Sequence, residues 1–94
     1  MPAERIRLLL VDDEPGYLDE MAVGLSSYFD VDTAADGRAA LDLVADRHGR
    51  YDVALIDQHL GSEPDGITLL SRIRQTYPDI EGIVLTGYAA EDRE

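Results

Sequence analysis

The chain has 94 residues, enough for one small domain with a single core. Its hydrophobic fraction of 45% and charged fraction of 30% are those of an ordinary globular protein, and its longest apolar runs are too short to cross a membrane. The absence of cysteine excludes thiol chemistry, and a formal net charge of −12 argues against direct binding to nucleic acid or an anionic membrane. No signal-peptide pattern opens the chain, so we expect a cytoplasmic protein.

The first predicted strand covers residues 6–11. Its nearly continuous apolar run ends in charges, which is typical of a strand buried on both faces. The helix that follows is predicted to begin near Pro15, because proline suits the first helical turn. Apolar side chains at helical spacing form its predicted inward stripe: Leu18, Met21, Ala22, Leu25 and Phe29.

The second predicted strand, residues 31–34, is short and alternating, as an edge strand would be. Asp36 can cap the helix that follows it, and Gly49 is placed to end that helix. Its predicted inward stripe consists of Ala40, Leu41, Val44 and Ala45.

The third predicted strand, residues 53–56, is of the buried kind and ends directly on Asp57. Asp65 and Gly66 can cap a third helix, for which Pro78 is the terminator. Its predicted inward face consists of Ile67, Leu70, Ile73 and Tyr77. A fourth strand is predicted at residues 83–86. The tyrosines Tyr17, Tyr28 and Tyr51 are expected to pack by their rings with the hydroxyl near water.

This alternation of strands and helices predicts an α/β fold with a doubly wound, mostly parallel sheet. We expect the flavodoxin-like strand order 2-1-3-4. In such sheets ligands bind beyond the carboxyl ends of the strands, near the point where strand order reverses.

Three carboxylates are predicted to meet at that point. Asp12 and Asp13 end the first strand and Asp57 ends the third, and the two strands would be neighbours about 5 Å apart. A single aspartate at a strand end more often caps a loop or helix. Three like charges together need a shared proton or cation, and an oxygen-rich, incomplete ligand set suits Mg²⁺, which often shares its positions with phosphate. We therefore predict a magnesium-assisted phosphoryl site.

Four segments, LLLVDDE, VALIDQHL, PDG and IVLTGY, resemble the receiver domain of two-component response regulators, and the likeness covers nearly the whole chain. The resemblance implies that Asp57 is the phosphoacceptor. It also implies that Mg²⁺ is held by Asp13 directly, by Asp12 largely through water, and by the main-chain carbonyl of His59. The imidazoles of His59 and His48 receive no role, because no second histidine or cysteine lies at a metal-binding spacing.

The resemblance also implies how the domain would work. A histidine kinase or phosphotransfer protein would supply the phosphoryl group, and Asp57 would attack it in line. The Thr86 hydroxyl would then hydrogen-bond the phosphoryl group, and Tyr88 would belong to the aromatic switch region. Thr86 could instead be a β-branched residue that fills a strand. The domain would be no enzyme beyond its own phosphorylation and dephosphorylation.

The chain departs from the family pattern in four ways. Gly61 stands where many relatives have proline, and the stretch from Asp57 to Asp65 is one residue longer than the commonest pattern. The chain ends at Glu94, where a fourth helix is expected to begin, so the receiver domain predicted over residues 1–94 lacks the fifth βα unit. It also lacks the lysine of the fifth strand, since every basic side chain other than histidine is arginine.

Two other interpretations stay open at this point. The missing lysine and last helix favour a receiver-like interaction or dimerisation module that is not phosphorylated. A phosphate-ester hydrolase would place a second aspartate two positions after the first, whereas Asp12 and Asp13 are adjacent.

The first helix alone is too narrow to cover its face of a four-stranded sheet, and the fourth strand would be an open edge. We therefore expect self-association through that edge and the face of the first helix.

Overall fold

The computed structural model describes residues 5–86. The elements within that range, in chain order, are β1 (Arg7–Val11), α1 (Pro15–Leu25), β2 (Asp30–Ala34), α2 (Gly37–Asp46), β3 (Val53–Asp57), α3 (Gly66–Thr76) and β4 (Glu81–Leu85). This is the predicted alternation. β4 begins two residues before the predicted start and ends before Thr86, and α1 ends before Phe29. Tyr88 lies outside the described residues.

Between residues 5 and 86, four parallel strands form one sheet in the order β2-β1-β3-β4. The predicted flavodoxin-like order is therefore confirmed. The register pairs Val11 with both Ala34 and Ile56, and it pairs Asp57 with Leu85. The carboxyl ends of β1 and β3 thus lie side by side at the point where strand order reverses, which is where such sheets bind ligands.

The two predicted helix caps are present. The Asp36 carboxylate accepts a hydrogen bond from the Ala39 amide at 2.8 Å, and the Asp65 carboxylate accepts one from the Thr68 amide at 2.9 Å. α2 ends at Asp46, three residues before Gly49. Gly49 has φ +72, and a Cβ there would lie 2.1 Å from the Tyr77 ring, so this turn requires glycine.

One face of the sheet is covered by α2 and α3. Its buried cluster comprises, among others, Leu9, Val11, Ala40, Val44, Ala54, Ile56, Leu69 and Ile73. Two predicted inward positions are wrong, because Ala45 is exposed and Ile67 is 60% exposed. Leu69 is the buried residue instead. Leu69 and Ile73 are four residues apart and share one helical face, from which Ile67 is rotated by about 200°.

The other face is covered by α1 and is partly open. Leu18 of α1 is buried, but the rest of its predicted stripe is only half-buried. Val53 and Leu55 are also half-buried, so β3 is not buried on both faces as predicted. Ile83 is 50% exposed. An apolar groove of about 270 Å³ lies on this face, lined by Leu8, Leu25, Phe29, Val53, Leu55 and Ile83.

Tyr51 differs from the expectation for its hydroxyl. The residue is buried, and its hydroxyl donates a hydrogen bond to Asp32 Oδ2 at 2.6 Å. Burial raises the pKa of Tyr51 well above its ordinary value, and the neighbouring Asp32 carboxylate raises it further. Arg47 lies 3.4 Å from the same carboxylate oxygen. Tyr17 and Tyr28 are exposed.

No helix between residues 5 and 86 has the length and apolarity to span a membrane.

Candidate functional site

Three carboxylates converge at the carboxyl ends of β1 and β3. One oxygen from each of Asp12, Asp13 and Asp57 lies within 4.8 Å of the other two. The strand register produces this arrangement, since Val11 pairs with Ile56 and each strand then delivers its acidic residues to the same edge. The predicted meeting of the three side chains is thus present in the fold.

The three carboxylates differ in their surroundings. Asp12 is buried with 7% of its surface exposed, Asp57 is half-buried and Asp13 is exposed. Burial raises the pKa of Asp12 above its ordinary value, and the charges of Asp57 and Asp13 add to that effect. A hydrogen bond from the Glu14 amide to Asp12 Oδ1, at 3.0 Å, opposes it. The site therefore disfavours the three negative charges that it holds, and a cation would relieve them.

The loop between β3 and α3 passes over this cluster. The His59 amide donates a long hydrogen bond, 3.3 Å, to Asp57 Oδ1. Leu60 is buried and anchors the loop in the core. Gly61 has φ +74, and a Cβ at that position would lie 2.9 Å from Asp13 Oδ2. Proline fixes φ near −65°, so a proline at position 61 would not fit this loop conformation.

Gly66 brings the start of α3 directly against the strand that carries Asp57. A Cβ at Gly66 would lie 2.5 Å from the Asp57 carbonyl oxygen and 2.8 Å from Gln58 Cα. Real Cβ atoms do not approach backbone atoms so closely, so any other residue would push the helix away. The Asp–Gly pair at residues 65 and 66 thus both caps the helix and permits its close approach.

Gln58 was missed by the sequence reasoning. Its side chain bridges the end of β3 to the start of α3, through Asp65 Oδ2 at 3.0 Å and the Ile67 amide at 2.8 Å. A single glutamine beside a strand-terminal aspartate carries no pattern that would single it out. Its partners become known only when the loop closes and brings residues 65–67 back to it.

Thr86 follows β4 directly. It is exposed, and it lies one residue beyond Leu85, the register partner of Asp57. The Gln58 amide also donates to the Leu85 carbonyl at 2.9 Å. Thr86 therefore belongs to the same edge of the sheet as the carboxylates.

The cluster suits a hard divalent cation. Among the described residues its donors are three carboxylates, and carboxylate oxygens are the donors that Mg²⁺ and Ca²⁺ prefer. Burial has already raised the pKa of one of the three aspartates. The residues present therefore fit Mg²⁺ better than a metal that prefers imidazole or thiolate ligands.

The fold is a parallel α/β sheet with an acidic cluster at its switch point, and comparison with known proteins identifies the family. The family model described as "Response regulator receiver domain" matches residues 8–94. The chain belongs to the response regulator receiver domain family. These domains serve signal transduction in two-component systems, generally interact with histidine kinases and are not classical enzymes, and phosphorylation on aspartate is general among them.

Individual relatives agree with this assignment. A segment of the sensor kinase CckA of Brucella abortus (strain 2308) is 36% identical over 85 residues, which is 89% of this chain and 9% of the kinase. The signal receiver domain of an HD domain-containing protein from Pseudomonas fluorescens Pf-5 is 38% identical with a TM-score of 0.81, and the match covers 89% of this chain and 66% of that one. The chain spans less than half the length of the curated relatives that it matches.

A third relative was solved with ligands. The response regulator protein TrrA from Thermotoga maritima, in complex with Mg(2+)-BeF, is 30% identical with a TM-score of 0.77. The match covers 90% of this chain and 72% of that structure.

Proposed function

We propose that residues 1–94 form a receiver domain in which Asp57 accepts a phosphoryl group from the phosphohistidine of a histidine kinase or phosphotransfer protein. Mg²⁺ would be held by Asp12, Asp13, Asp57 and the main-chain carbonyl of His59. The observation that carries the proposal is the convergence of three carboxylates at the switch point, of which Asp57 alone ends β3. The Mg(2+)-BeF complex of the Thermotoga relative supports the choice of metal.

The surroundings of Asp57 support its proposed role as the nucleophile. Asp57 is half-exposed, and its Oδ1 accepts a hydrogen bond from the His59 amide. That hydrogen bond helps to orient the carboxylate. In the transfer an Asp57 oxygen forms a bond to phosphorus while the phosphorus–nitrogen bond breaks, and the imidazole keeps the electron pair. When bound, Mg²⁺ supplies charge neutralisation for the carboxylates and for the phosphoryl oxygens.

Thr86 is proposed to recognise the product. A phosphorylated aspartate adds negative charge and strong acceptor oxygens that a hydroxyl can bond. Thr86 lies one residue beyond the register partner of Asp57, so a movement of Thr86 toward the site would bring its hydroxyl to the phosphoryl group. Such a movement would change the surface there and transmit the signal.

A small phosphodonor tests the proposal. Acetyl phosphate with Mg²⁺ should label Asp57 as an acyl phosphate that hydroxylamine cleaves, and mass spectrometry should locate it. The Asp57→Asn variant should lose the label, whereas Asp42→Asn, an exposed position on α2, should retain it. Labelling that persists in Asp57→Asn, or that maps to Ser62 or Thr86, would contradict the assignment.

The non-phosphorylated interaction module is not favoured. Three carboxylates within 4.8 Å repel one another, and a scaffold without metal or phosphoryl chemistry gains nothing from holding them together. Their presence at the switch point is better explained by a working site than by a lost one.

Self-association is a further part of the proposal. Its support is the partly open sheet face, where Ile83 is 50% and Leu85 is 37% exposed beside the apolar groove. Burying that surface against a second copy would be favourable by about 25 cal/mol for each Å² of apolar area. The net charge of −12 supports the expectation that this segment does not bind nucleic acid directly.

A further inference from the structure

The side chain of Gln58 ties together the two ends of the loop that crosses the site. The loop comprises residues 59–64, and Gln58 and Asp65 stand at its two ends. Gln58 Nε2 donates to Asp65 Oδ2 at 3.0 Å, and Gln58 Oε1 accepts from the Ile67 amide at 2.8 Å. Because one planar amide makes both bonds, its orientation is fixed and the ends of the loop cannot separate without breaking a bond.

The main chain of Gln58 extends this connection to two further elements. Its amide donates to the Leu85 carbonyl at 2.9 Å, and its carbonyl accepts from the Gly66 amide at 3.1 Å. All four hydrogen-bonding groups of Gln58 are thus engaged. The residue joins the end of β3 to the start of α3 and to the end of β4, immediately before Thr86.

The loop that Gln58 closes contacts two of the three carboxylates. The His59 amide donates to Asp57 Oδ1, and the loop passes so close to Asp13 that a Cβ on Gly61 would lie 2.9 Å from Asp13 Oδ2. A looser loop would therefore leave both carboxylates less well ordered. The hydrogen bonds of the Gln58 side chain that tie the loop go to Asp65 and Ile67, so Gln58 acts on the two carboxylates through the loop. Loss of orientation by a fraction of an ångström is enough to slow a reaction that depends on in-line geometry.

We propose that Gln58 is a positioning residue of the phosphoryl site, acting through its paired hydrogen bonds to Asp65 and Ile67. It does not touch the reacting atoms. It holds the loop that orders Asp57 and Asp13 and that carries the His59 carbonyl. This inference rests on the proposed role of Asp57 as phosphoacceptor.

The pair Gln58 and Asp65 permits a donor–acceptor exchange that separates positioning from bulk. Gln58→Glu removes the donor and sets two carboxylates face to face, with no change of size. Asp65→Asn sets two amide donors face to face, while an asparagine still caps α3 as well as an aspartate does. In the double variant the new asparagine can donate to the new glutamate, so the bond is restored with its direction reversed.

The rate constant for Asp57 phosphorylation at saturating acetyl phosphate and Mg²⁺ is the main readout. Each single variant should lower it about tenfold, because a loop that no longer orders Asp57 and Asp13 loses part of the alignment on which in-line transfer depends. The double variant should recover to within about threefold of the wild type, since asparagine and glutamate re-form the bond. Hydrogen exchange at the His59 amide should rise in the single variants and fall again in the double. Gln75→Glu, the same isosteric change at an exposed position of α3, is the control and should leave the rate unchanged.

Three outcomes decide the question. Single variants that react at the wild-type rate overturn the inference, and so does a folded double variant that stays as slow as the singles. If the wild type is not labelled at Asp57, the proposed function fails and the inference fails with it, which is a distinct result. Should Gln58→Glu not fold, Asp65→Asn and the double variant still supply the comparison.

Discussion

Gly61→Ala is predicted to weaken both the fold and the metal site. Gly61 has φ +74, and an L-residue in the left-handed region costs about 1–2 kcal/mol. The added methyl would also lie 2.9 Å from Asp13 Oδ2, closer than such contacts allow. That oxygen is the end of an exposed, flexible side chain, so the clash itself is relieved cheaply by rotating Asp13 away. The energetic cost therefore comes from the backbone, and the cost to the site comes from the displaced carboxylate.

Two measurements on Gly61→Ala separate these effects. Urea unfolding should show a loss of about 1–2 kcal/mol in the free energy of unfolding, with an unchanged dependence on denaturant. Magnesium titration by NMR should show a weaker affinity at temperatures where the variant is fully folded.

Gly24→Ala is the matched control. A Cβ at Gly24 meets no atom within 4 Å, and the residue lies inside α1, so alanine there should stabilise the fold by about 0.5–1 kcal/mol. It should leave magnesium binding alone. A Gly61→Ala variant as stable as the wild type, or one with normal magnesium affinity, would refute the reasoning.

Four further predictions concern the metal, the Tyr51 hydrogen bond, the pH dependence of stability and the open face. Asp57→Asn should weaken Mg²⁺ binding, and an unchanged affinity by NMR titration would remove Asp57 from the ligand set. Tyr51→Phe should cost about 1–2 kcal/mol in urea unfolding, because Asp32 loses its 2.6 Å hydrogen bond; no loss would show that bond to be unimportant. The free energy of unfolding of the wild type should fall as pH rises above 10. The reason is that unfolded Tyr51 ionises near its ordinary pKa of 10.0, whereas burial keeps the folded residue protonated. Tyr51→Phe should flatten that fall. If a second copy covers the open face, Ile83→Glu should have a lower sedimentation coefficient than the wild type at high protein concentration. A wild type that is monomeric at every concentration would contradict the proposed self-association.

Local patterns in the sequence were sufficient for the order and type of the elements. Buried strands produce continuous apolar runs, and aspartate before a helix offers its own cap, so Asp36 and Asp65 could be recognised without any knowledge of the fold. The meeting of Asp12, Asp13 and Asp57 was also predictable, because parallel strands deliver their ends to one edge once the strand order is known.

Burial on a particular face depended on packing that no local pattern contains. Ile67 and Leu69 are both apolar, and the contact of α3 with the sheet decides that Leu69 is buried and Ile67 is not. The same holds for Tyr51, whose hydroxyl reaches Asp32, 19 positions away in the chain, only in the folded structure.

The loop over the site was likewise decided by tertiary structure. Gln58 meets Asp65 and Ile67 because the loop closes on itself, and Gly61 lies against Asp13 because that loop crosses from β3 to the end of β1. Residue type and spacing along the chain determined which chemistry this protein can carry, since charge and secondary-structure preference act over a few residues. The distances and partners that order the carboxylates arise between segments far apart in sequence, so only the folded chain could set them.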